Sequence, residues 1–282
     1  MKLLLLLLFL PGQALAEERI HIWHQMIYSF REVLAERARA FEAANPGVKV
    51  VLTYRETEEL RSSFQASALG GSGPELIYGP SDQVGPLATM GLIAPLPEEL
   101  AEDDFDMAAL VRHEGKLFSL GDTVGNHLML LYNRKLVPNP PATTNELILI
   151  GKALTKDTNG DGRPDYYGLA WNYTEPFFFV PWIAGFGGKF FTAESGTDLD
   201  TPAVREAFAF IRDLRAKHKM VPLESDYETA NALFKEGRAA MIVNGDWSWG
   251  DYKAAGIDFG IAPLPKVSAT GLWPSPLVGA KG

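Results

Sequence analysis

The fold class is decided by residues 19–78, RIHIWHQMIYSFREVLAERARAFEAANPGVKVVLTYRETEELRSSFQASALGGSGPELIY. Residues 19–23 alternate polar and apolar side chains, which predicts a strand. An apolar stripe through residues 30–44 predicts a helix that ends at Asn-Pro-Gly. Residues 48–54 then predict a second strand, 58–69 a second helix and 75–78 a third strand. This β-α-β-α-β order predicts an α/β fold with a largely parallel sheet and helices on both faces.

Ligands on parallel sheets bind beyond the carboxyl ends of the strands. The loops after Trp23 and after Tyr78 are therefore the first places where ligand contacts are expected. Asp82 lies in the second of these loops. We expect its carboxylate to take part in a site.

Composition limits the classes of function. A chain of 282 residues with 46% hydrophobic content suits two soluble domains. A net charge of -9 argues against a nucleic-acid partner, because such proteins usually carry a basic patch. The chain has no cysteine, so disulfides and thiolate metal sites are excluded.

The first sixteen residues are typical of a secretory signal peptide. A basic start precedes the apolar run 3–10, and Ala14-Leu15-Ala16 fits the small-x-small pattern of a cleavage site. The run is too short for a membrane-spanning helix, which needs about 20 residues. We therefore expect cleavage after Ala16, and a soluble, exported, periplasmic protein without a lipid anchor.

Residues 172–188, NYTEPFFFVPWIAGFGG, place a carboxylate, Glu175, beside successive aromatic rings. Sugars present hydroxyl rims and flat C–H faces, so a sugar site needs acceptors next to aromatic surfaces. Glu175 and Phe177 fit that chemistry. The alternative is a buried aromatic helix, to which Phe178 and Phe179 would belong.

Three further segments accompany this stretch: 131–141, LYNRKLVPNPP; 226–237, DYETANALFKEG; and 239–249, AAMIVNGDWSW. Together with Glu-Pro-Phe-Phe, they closely resemble the periplasmic maltose/maltodextrin-binding proteins of ABC importers. The resemblance runs from about residue 20 to 279. The Tyr-Asn-Arg segment marks only extracellular solute-binding proteins in general. The Glu-Pro-aromatic-Phe and Asn-Gly-x-Trp-x-Trp motifs are more particular to the maltodextrin group.

The resemblance implies a two-lobed periplasmic-binding-protein fold of type II. Each lobe is a mostly parallel sheet flanked by helices, and crossing hinge strands join the lobes around a sugar. The first lobe is expected over 17–125 with a returning strand at 271–282, the hinge crossing over 126–130, and the second lobe over 131–265. Members of the family usually continue for about another hundred residues, so the chain is expected to be C-terminally truncated, unstable alone and weak in binding.

Residue by residue, the resemblance implies sugar-binding roles in both lobes. Asp82 matches a hydroxyl acceptor, and Trp247 matches a stacking tryptophan. Trp249 has packing as its alternative role. The complete expected set is Asp82, Gln83, Asn126, Glu175, Pro176, Phe177, Tyr227, Trp247 and Trp249.

The chain departs from the family mainly in the first lobe. Gln83 stands where an arginine is usual, and Asn126 where a carboxylate is usual. Gly79 occupies the place of a stacking aromatic, and the family's first-strand lysine has no clear counterpart in residues 24–28. A glucan stays the expected ligand, with a different oligosaccharide as an alternative.

The stretch 157–165, DTNGDGRPD, spaces oxygen side chains as a calcium loop does. Its twelfth position is Gly168, which excludes an EF-hand. A structural turn is the preferred interpretation, with a looser calcium turn of Asp157, Asn159, Asp161 and Asp165 as the alternative. The five histidines show no paired spacing on one predicted face, so they are not expected to bind a metal.

Two functional hypotheses follow. One is a non-catalytic receptor without a cofactor, monomeric, whose partners are an oligosaccharide and the membrane permease subunits of an ABC transporter. The other is a secreted glycoside hydrolase with Asp82 and Glu175 as its acid and base pair. A receptor for iron or another cation would use clustered tyrosines, which are absent from the sequence.

Overall fold

A computed structural model describes residues 17–26, 28–101, 105–125, 127–192 and 196–282. The predicted signal peptide and its cleavage site lie outside these residues. The described residues form two compact units. The first takes in residues up to Phe105 with Leu110–Leu120 and Lys281–Gly282, and the second Asp106–Ala109 and Gly121–Ala280. The lobe and hinge boundaries expected from the sequence stay a prediction.

The first unit is built on the β-α-β-α-β order that its sequence predicts. Its elements are β1 (Glu18–His24), α1 (Tyr28–Ala44), β2 (Val48–Tyr54), α2 (Thr57–Leu69), β3 (Leu76–Tyr78), α3 (Val84–Thr89), β4 (Leu110–His113) and β5 (Lys116–Leu120). The three-stranded sheet has the order β2-β1-β3, and both pairings are parallel. Strands β4 and β5 form a separate antiparallel pair. The predicted parallel sheet is confirmed.

The second unit carries the larger sheet. Its elements are β6 (Thr123–Gly125), β7 (Leu128–Asn133), α4 (Thr144–Leu154), β8 (Tyr167–Ala170), α5 (Val180–Gly185), β9 (Phe191–Thr192), β10 (Gly196–Thr197), α6 (Pro202–Ala216), α7 (Tyr227–Lys235), β11 (Ala239–Gly245), α8 (Trp249–Ala254), β12 (Phe259–Ala262) and β13 (Gly279–Lys281), of which Lys281 is assigned to the first unit. The four-stranded sheet has the order β12-β7-β11-β8. Strands β8 and β11 are parallel, whereas β7 runs antiparallel to both β11 and β12. This second sheet is therefore mixed, where a mostly parallel one was expected.

Two apolar clusters cover the two faces of this mixed sheet. Leu128, Leu130, Met241 and Val243 belong to one cluster, and Leu131 and Ile242 belong to the other, as alternation along a strand requires. All seven residues of β11 are buried. Both ends of β11 therefore lie in the interior of the second unit. The position of Gly245 is fixed by this burial, and so is the point from which the following residues leave the sheet.

Helix α4 and strand β8 are in close contact where a glycine of one faces a glycine of the other, Gly151 and Gly168. A Cβ added at Gly168 would lie 2.0 Å from the backbone oxygen of Gly151. Thr155 stabilises the crossing, because its hydroxyl donates to the Gly151 carbonyl (2.8 Å) and accepts from the Gly168 N–H (3.0 Å). Only a residue without a side chain fits at this point of β8.

Among the helices that the structure describes, none is both long and apolar enough to cross a membrane.

The stretch 157–165 forms a turn held by its own side chains. The Asp157 carboxylate accepts from the N–H groups of Gly160 (2.7 Å) and Gly162 (2.9 Å). The Asp165 carboxylate accepts from the hydroxyl (2.5 Å) and from the N–H (2.7 Å) of Thr158, and these two bonds lower the pKa of Asp165. In the described part of the chain, no group of three or more His, Cys, Asp or Glu side chains is placed to hold a metal. The geometry is that of a structural turn, and calcium binding here stays a prediction.

Candidate functional site in the second unit

Three partly buried aromatic side chains form a continuous surface in the second unit, which we call the aromatic wall: Phe177, Tyr227 and Trp247. The rings of Phe177 and Trp247 lie 6.1 Å apart between centroids, at an angle of 53°. The indole Nε1 of Trp247 donates to the hydroxyl of Tyr227 at 2.8 Å. Three residues far apart in sequence, each expected from its own motif to bind sugar, are thus brought together, and their role in binding stays a prediction.

Two rings of the wall, those of Tyr227 and Trp247, are placed by the start or end of a secondary-structure element. Tyr227 is the first residue of α7 because Asp226 caps that helix and accepts from the N–H of Thr229 at 2.8 Å. Trp247 lies in a 3-10 turn, Asp246–Ser248, immediately after β11. Ser248 closes this turn by donating its hydroxyl to the Gly245 carbonyl at 2.7 Å. The start of α7 and the end of β11 therefore fix the positions of these two partly buried residues.

The indole of Trp247 folds back over the backbone of Gly245. A Cβ at Gly245 would meet atoms of the indole ring at 1.9 to 2.3 Å. The absence of a side chain at residue 245 is therefore what lets the ring lie against the end of β11. The sequence contains this signal in the Asn-Gly-Asp-Trp order, although the role of Gly245 was not predicted from it.

We expect Gly245→Ala to displace the Trp247 ring while the unit still folds. Rotation of the partly buried Trp247 side chain relieves the overlap, at a cost on the order of 1–2 kcal/mol of unfolding free energy. The measurement is the near-ultraviolet circular dichroism of the variant together with its urea midpoint. A matched control is Gly85→Ala, where the nearest atom to the new Cβ is 3.8 Å away. An unchanged Trp247 signal in Gly245→Ala would contradict the close approach.

Glu175 precedes the wall and is oriented by Asn172. The side-chain amide of Asn172 donates to Glu175 Oε1 at 2.7 Å, and its oxygen accepts from the N–H (3.0 Å) and hydroxyl (2.8 Å) of Thr174. Asn172 is buried, and Glu175 is partly exposed. The bond from Asn172 fixes the position of Oε1, and a carboxylate accepts about four hydrogen bonds in total. The orienting role of Asn172 was missed in the sequence, where only its position three residues before Glu175 hints at it.

A groove of about 320 Å³ adjoins Glu175 and Pro176 within the second unit. The rings of Phe179 and Phe208 stack in it at 4.0 Å between centroids, and Phe208 is more than half exposed. Phe178, by contrast, is buried. The hypothesis of a buried aromatic helix is therefore right for Phe178, whereas Phe179 is only partly buried.

The two tryptophans of the Trp-x-Trp motif lie on different faces of the mixed sheet. Trp247 packs with the cluster of Leu128 and Val243, and Trp249 with the cluster of Leu131 and Ile242. In the described part of the chain, the buried Nε1 of Trp249 has no hydrogen-bond partner. The structure does not bring Trp249 to the aromatic wall, which favours its alternative role in packing.

The remaining expected residues lie outside the second unit or outside the described residues. Asp82 and Gln83 belong to the first unit, in the 3-10 turn Ser81–Gln83 after β3. The Asp82 carboxylate keeps solvent exposure, yet desolvation by the protein raises its pKa, and repulsion from Glu58 adds to this. Gln83 is buried. Asn126 lies outside the described residues, and a sugar-binding role for all three stays a prediction.

Comparison with known proteins gives consistent similarities. A family model described as "Bacterial extracellular solute-binding protein" matches residues 36–282. A maltotriose-binding protein of Pyrococcus abyssi is 32% identical over 274 residues, which is 93% of this chain and 57% of that protein. The chain thus spans less than two thirds of the length of this curated relative.

Two solved structures are similar over most of this chain. One is the maltose/maltodextrin-binding domain of Bdellovibrio bacteriovorus bound to maltotriose, with 59% identity and a TM-score of 0.89, covering 94% of this chain and 70% of that one. The other is a Thermus thermophilus maltotriose-binding protein with maltotriose, with 30% identity and a TM-score of 0.79, covering 93% and 71%. These likenesses confirm the predicted α/β solute-binding fold.

Proposed function

The chain belongs to the bacterial extracellular solute-binding protein family, and from that premise we propose that it is the oligosaccharide receptor of an ABC importer. The proposed ligand is a maltodextrin such as maltotriose. The proposed partners are the permease subunits in the membrane. The proposed location is the periplasm, after cleavage behind Ala16, and the receptor is proposed to be a monomer.

The observation that carries the proposal is the aromatic wall with an oriented carboxylate beside it in the chain. Flat rings suit the C–H faces of glucose units, and a carboxylate accepts from their hydroxyl groups. The similar solved proteins hold maltotriose, which is a chain of such units. The similar curated and solved proteins are described as sugar-binding proteins, which supports binding without bond cleavage.

Affinity for maltotriose tests the proposal directly. Isothermal titration calorimetry is expected to show binding at a single class of site, with cellobiose and a galactose disaccharide as comparison sugars. Reducing ends are measured in the same samples after prolonged incubation. Their appearance would favour the glycoside hydrolase hypothesis with Asp82 and Glu175 instead.

We expect Glu175→Gln to weaken maltotriose binding by about 1–2 kcal/mol, because a charged acceptor makes stronger hydrogen bonds than a neutral amide. Titration calorimetry gives the dissociation constants. The matched control is Glu206→Gln on the exposed side of α6, which is expected to bind as the unchanged protein does. Equal dissociation constants of all three proteins for maltotriose would show that Glu175 is not part of the maltotriose site.

A further inference from the structure

A closed set of hydrogen bonds joins three buried polar side chains of the second unit: Asn231, Asn244 and Tyr252. Their side chains are at most 3% exposed. The amide nitrogen of Asn244 donates to Asn231 Oδ1 at 3.0 Å and to the Tyr252 hydroxyl at 2.7 Å. The Tyr252 hydroxyl donates to the same Asn231 Oδ1 at 2.5 Å. We call these three residues the buried triad.

The buried triad also makes hydrogen bonds to the backbone of two residues at the wall, Tyr227 and Gly245. Asn231 donates its amide to the backbone carbonyl of Tyr227 at 2.8 Å. Asn244 accepts from the N–H of Gly245 at 2.9 Å. The first bond ends at the residue that carries one ring of the wall, and the second at the glycine on which the Trp247 indole rests.

The triad joins three separate elements in doing so. Asn231 lies one turn into α7, Asn244 is the last residue but one of β11, and Tyr252 lies on α8. Apolar packing tolerates small shifts, whereas hydrogen bonds fix distance and angle. Buried polar side chains among apolar neighbours therefore set how α7 and the end of β11 lie relative to each other.

We propose that Asn231, Asn244 and Tyr252 are positioning residues for the aromatic wall, holding Tyr227 and Trp247 in the arrangement in which the Trp247 Nε1 donates to the Tyr227 hydroxyl at 2.8 Å. This inference rests on the proposed function for the identity of the sugar. The geometric part, that the triad fixes the Trp247 ring, stands independently of it.

Tyr252→Phe isolates the contribution of the triad. The Tyr252 ring packs edge-on against Phe234 at 4.8 Å and against Phe259 at 6.0 Å, so phenylalanine keeps that packing and loses only the hydroxyl. The matched control is Tyr132→Phe on β7, a partly buried tyrosine in the same unit and outside the wall.

The first measurement does not depend on any ligand. The protein is labelled with 5-fluorotryptophan, and the Trp247 signal is assigned from the spectrum of Trp247→Phe. Fluorine NMR of the free protein is expected to show a shifted or broadened Trp247 signal in Tyr252→Phe and an unchanged one in Tyr132→Phe. An unchanged signal in a folded Tyr252→Phe overturns the proposal.

The second measurement is a double-mutant cycle on maltotriose affinity. Tyr252→Phe is expected to raise the dissociation constant about tenfold in the unchanged background, as loss of buried hydrogen bonds commonly does. In the Trp247→Ala background it should change that constant less than about twofold, because the ring it positions is absent. A tenfold loss in both backgrounds would mean that the triad acts only on general stability, and would overturn the proposal.

The two measurements separate the two hypotheses. If the unchanged protein does not bind maltotriose, the proposed function fails, and the fluorine spectrum alone decides the positioning role. If Tyr252→Phe gives no cooperative melt, Asn231→Ser is measured in its place, because serine keeps a short hydroxyl acceptor on α7.

Discussion

Trp247→Ala is expected to weaken maltotriose binding by about 1–3 kcal/mol, the range for losing the burial of one large side chain. This corresponds to a rise of roughly 5- to 150-fold in the dissociation constant. The indole is the largest ring of the wall and contacts both Phe177 and Tyr227. Its loss removes the flat ring that is proposed to face the sugar and also the donor to the Tyr227 hydroxyl.

Trp273→Ala is the matched control for this prediction. Trp273 is a half-exposed tryptophan of the second unit, with Lys266 over its ring at 4.9 Å, and it does not belong to the wall. Calorimetry of both variants, with circular dichroism to confirm folding, separates a local effect from a general one. Similar losses in the two variants, or none in Trp247→Ala, would remove Trp247 from the site.

Gly168→Ala is expected to lower the free energy of unfolding of the second unit by about 3 kcal/mol or more, because overpacking against the backbone has no low-cost relief. The added Cβ meets the carbonyl, Cα and C atoms of Gly151 at 2.0 to 2.4 Å. A side chain could rotate away, whereas here helix α4 itself must move off the sheet.

Two comparison variants sharpen this test by urea unfolding. Gly151→Ala places its Cβ against the Met220 side chain, whose far end is flexible, so a smaller loss is expected. Gly85→Ala in α3 has an open surrounding and should be neutral or slightly stabilising, since alanine favours a helix over glycine. A Gly168→Ala midpoint as high as that of Gly85→Ala would show that the crossing tolerates a side chain.

The sequence predicted the first unit well because its signals are local. The strand at residues 48–54 has the predicted bounds, and the helix that begins at Tyr28 ends at the predicted Ala44, before Asn-Pro-Gly. The second sheet was predicted less well. The antiparallel direction of β7 depends on which strands it meets, and β11 lies more than a hundred residues further along the chain. No local pattern encodes that pairing.

The candidate site divides in the same way. Glu175, Phe177, Tyr227 and Trp247 were predicted from motifs, and the structure brings the three rings together. The supporting residues were not predicted, because Asn231 and Tyr252 are ordinary helical residues 21 positions apart that meet only in the folded unit. The Trp-x-Trp spacing also did not reveal that the two tryptophans pack on different faces of the sheet. They do so because Trp247 lies in a 3-10 turn and Trp249 begins the following helix.

The burial of the Asn244–Gly245 pair has a consequence for the chemical ageing of the protein. Asparagine followed by glycine deamidates readily when the glycine nitrogen can attack the side-chain carbonyl, and the chain contains two such pairs, at 159–160 and 244–245. The first pair is exposed, whereas the second is buried and its amide is held by the triad. Aspartate at residue 244 would put a charge inside the buried triad and replace an amide donor with an acceptor. The burial that positions the Trp247 ring is thus also expected to slow deamidation of Asn244. Deamidation of Asn159 would alter only the exposed turn at 157–165.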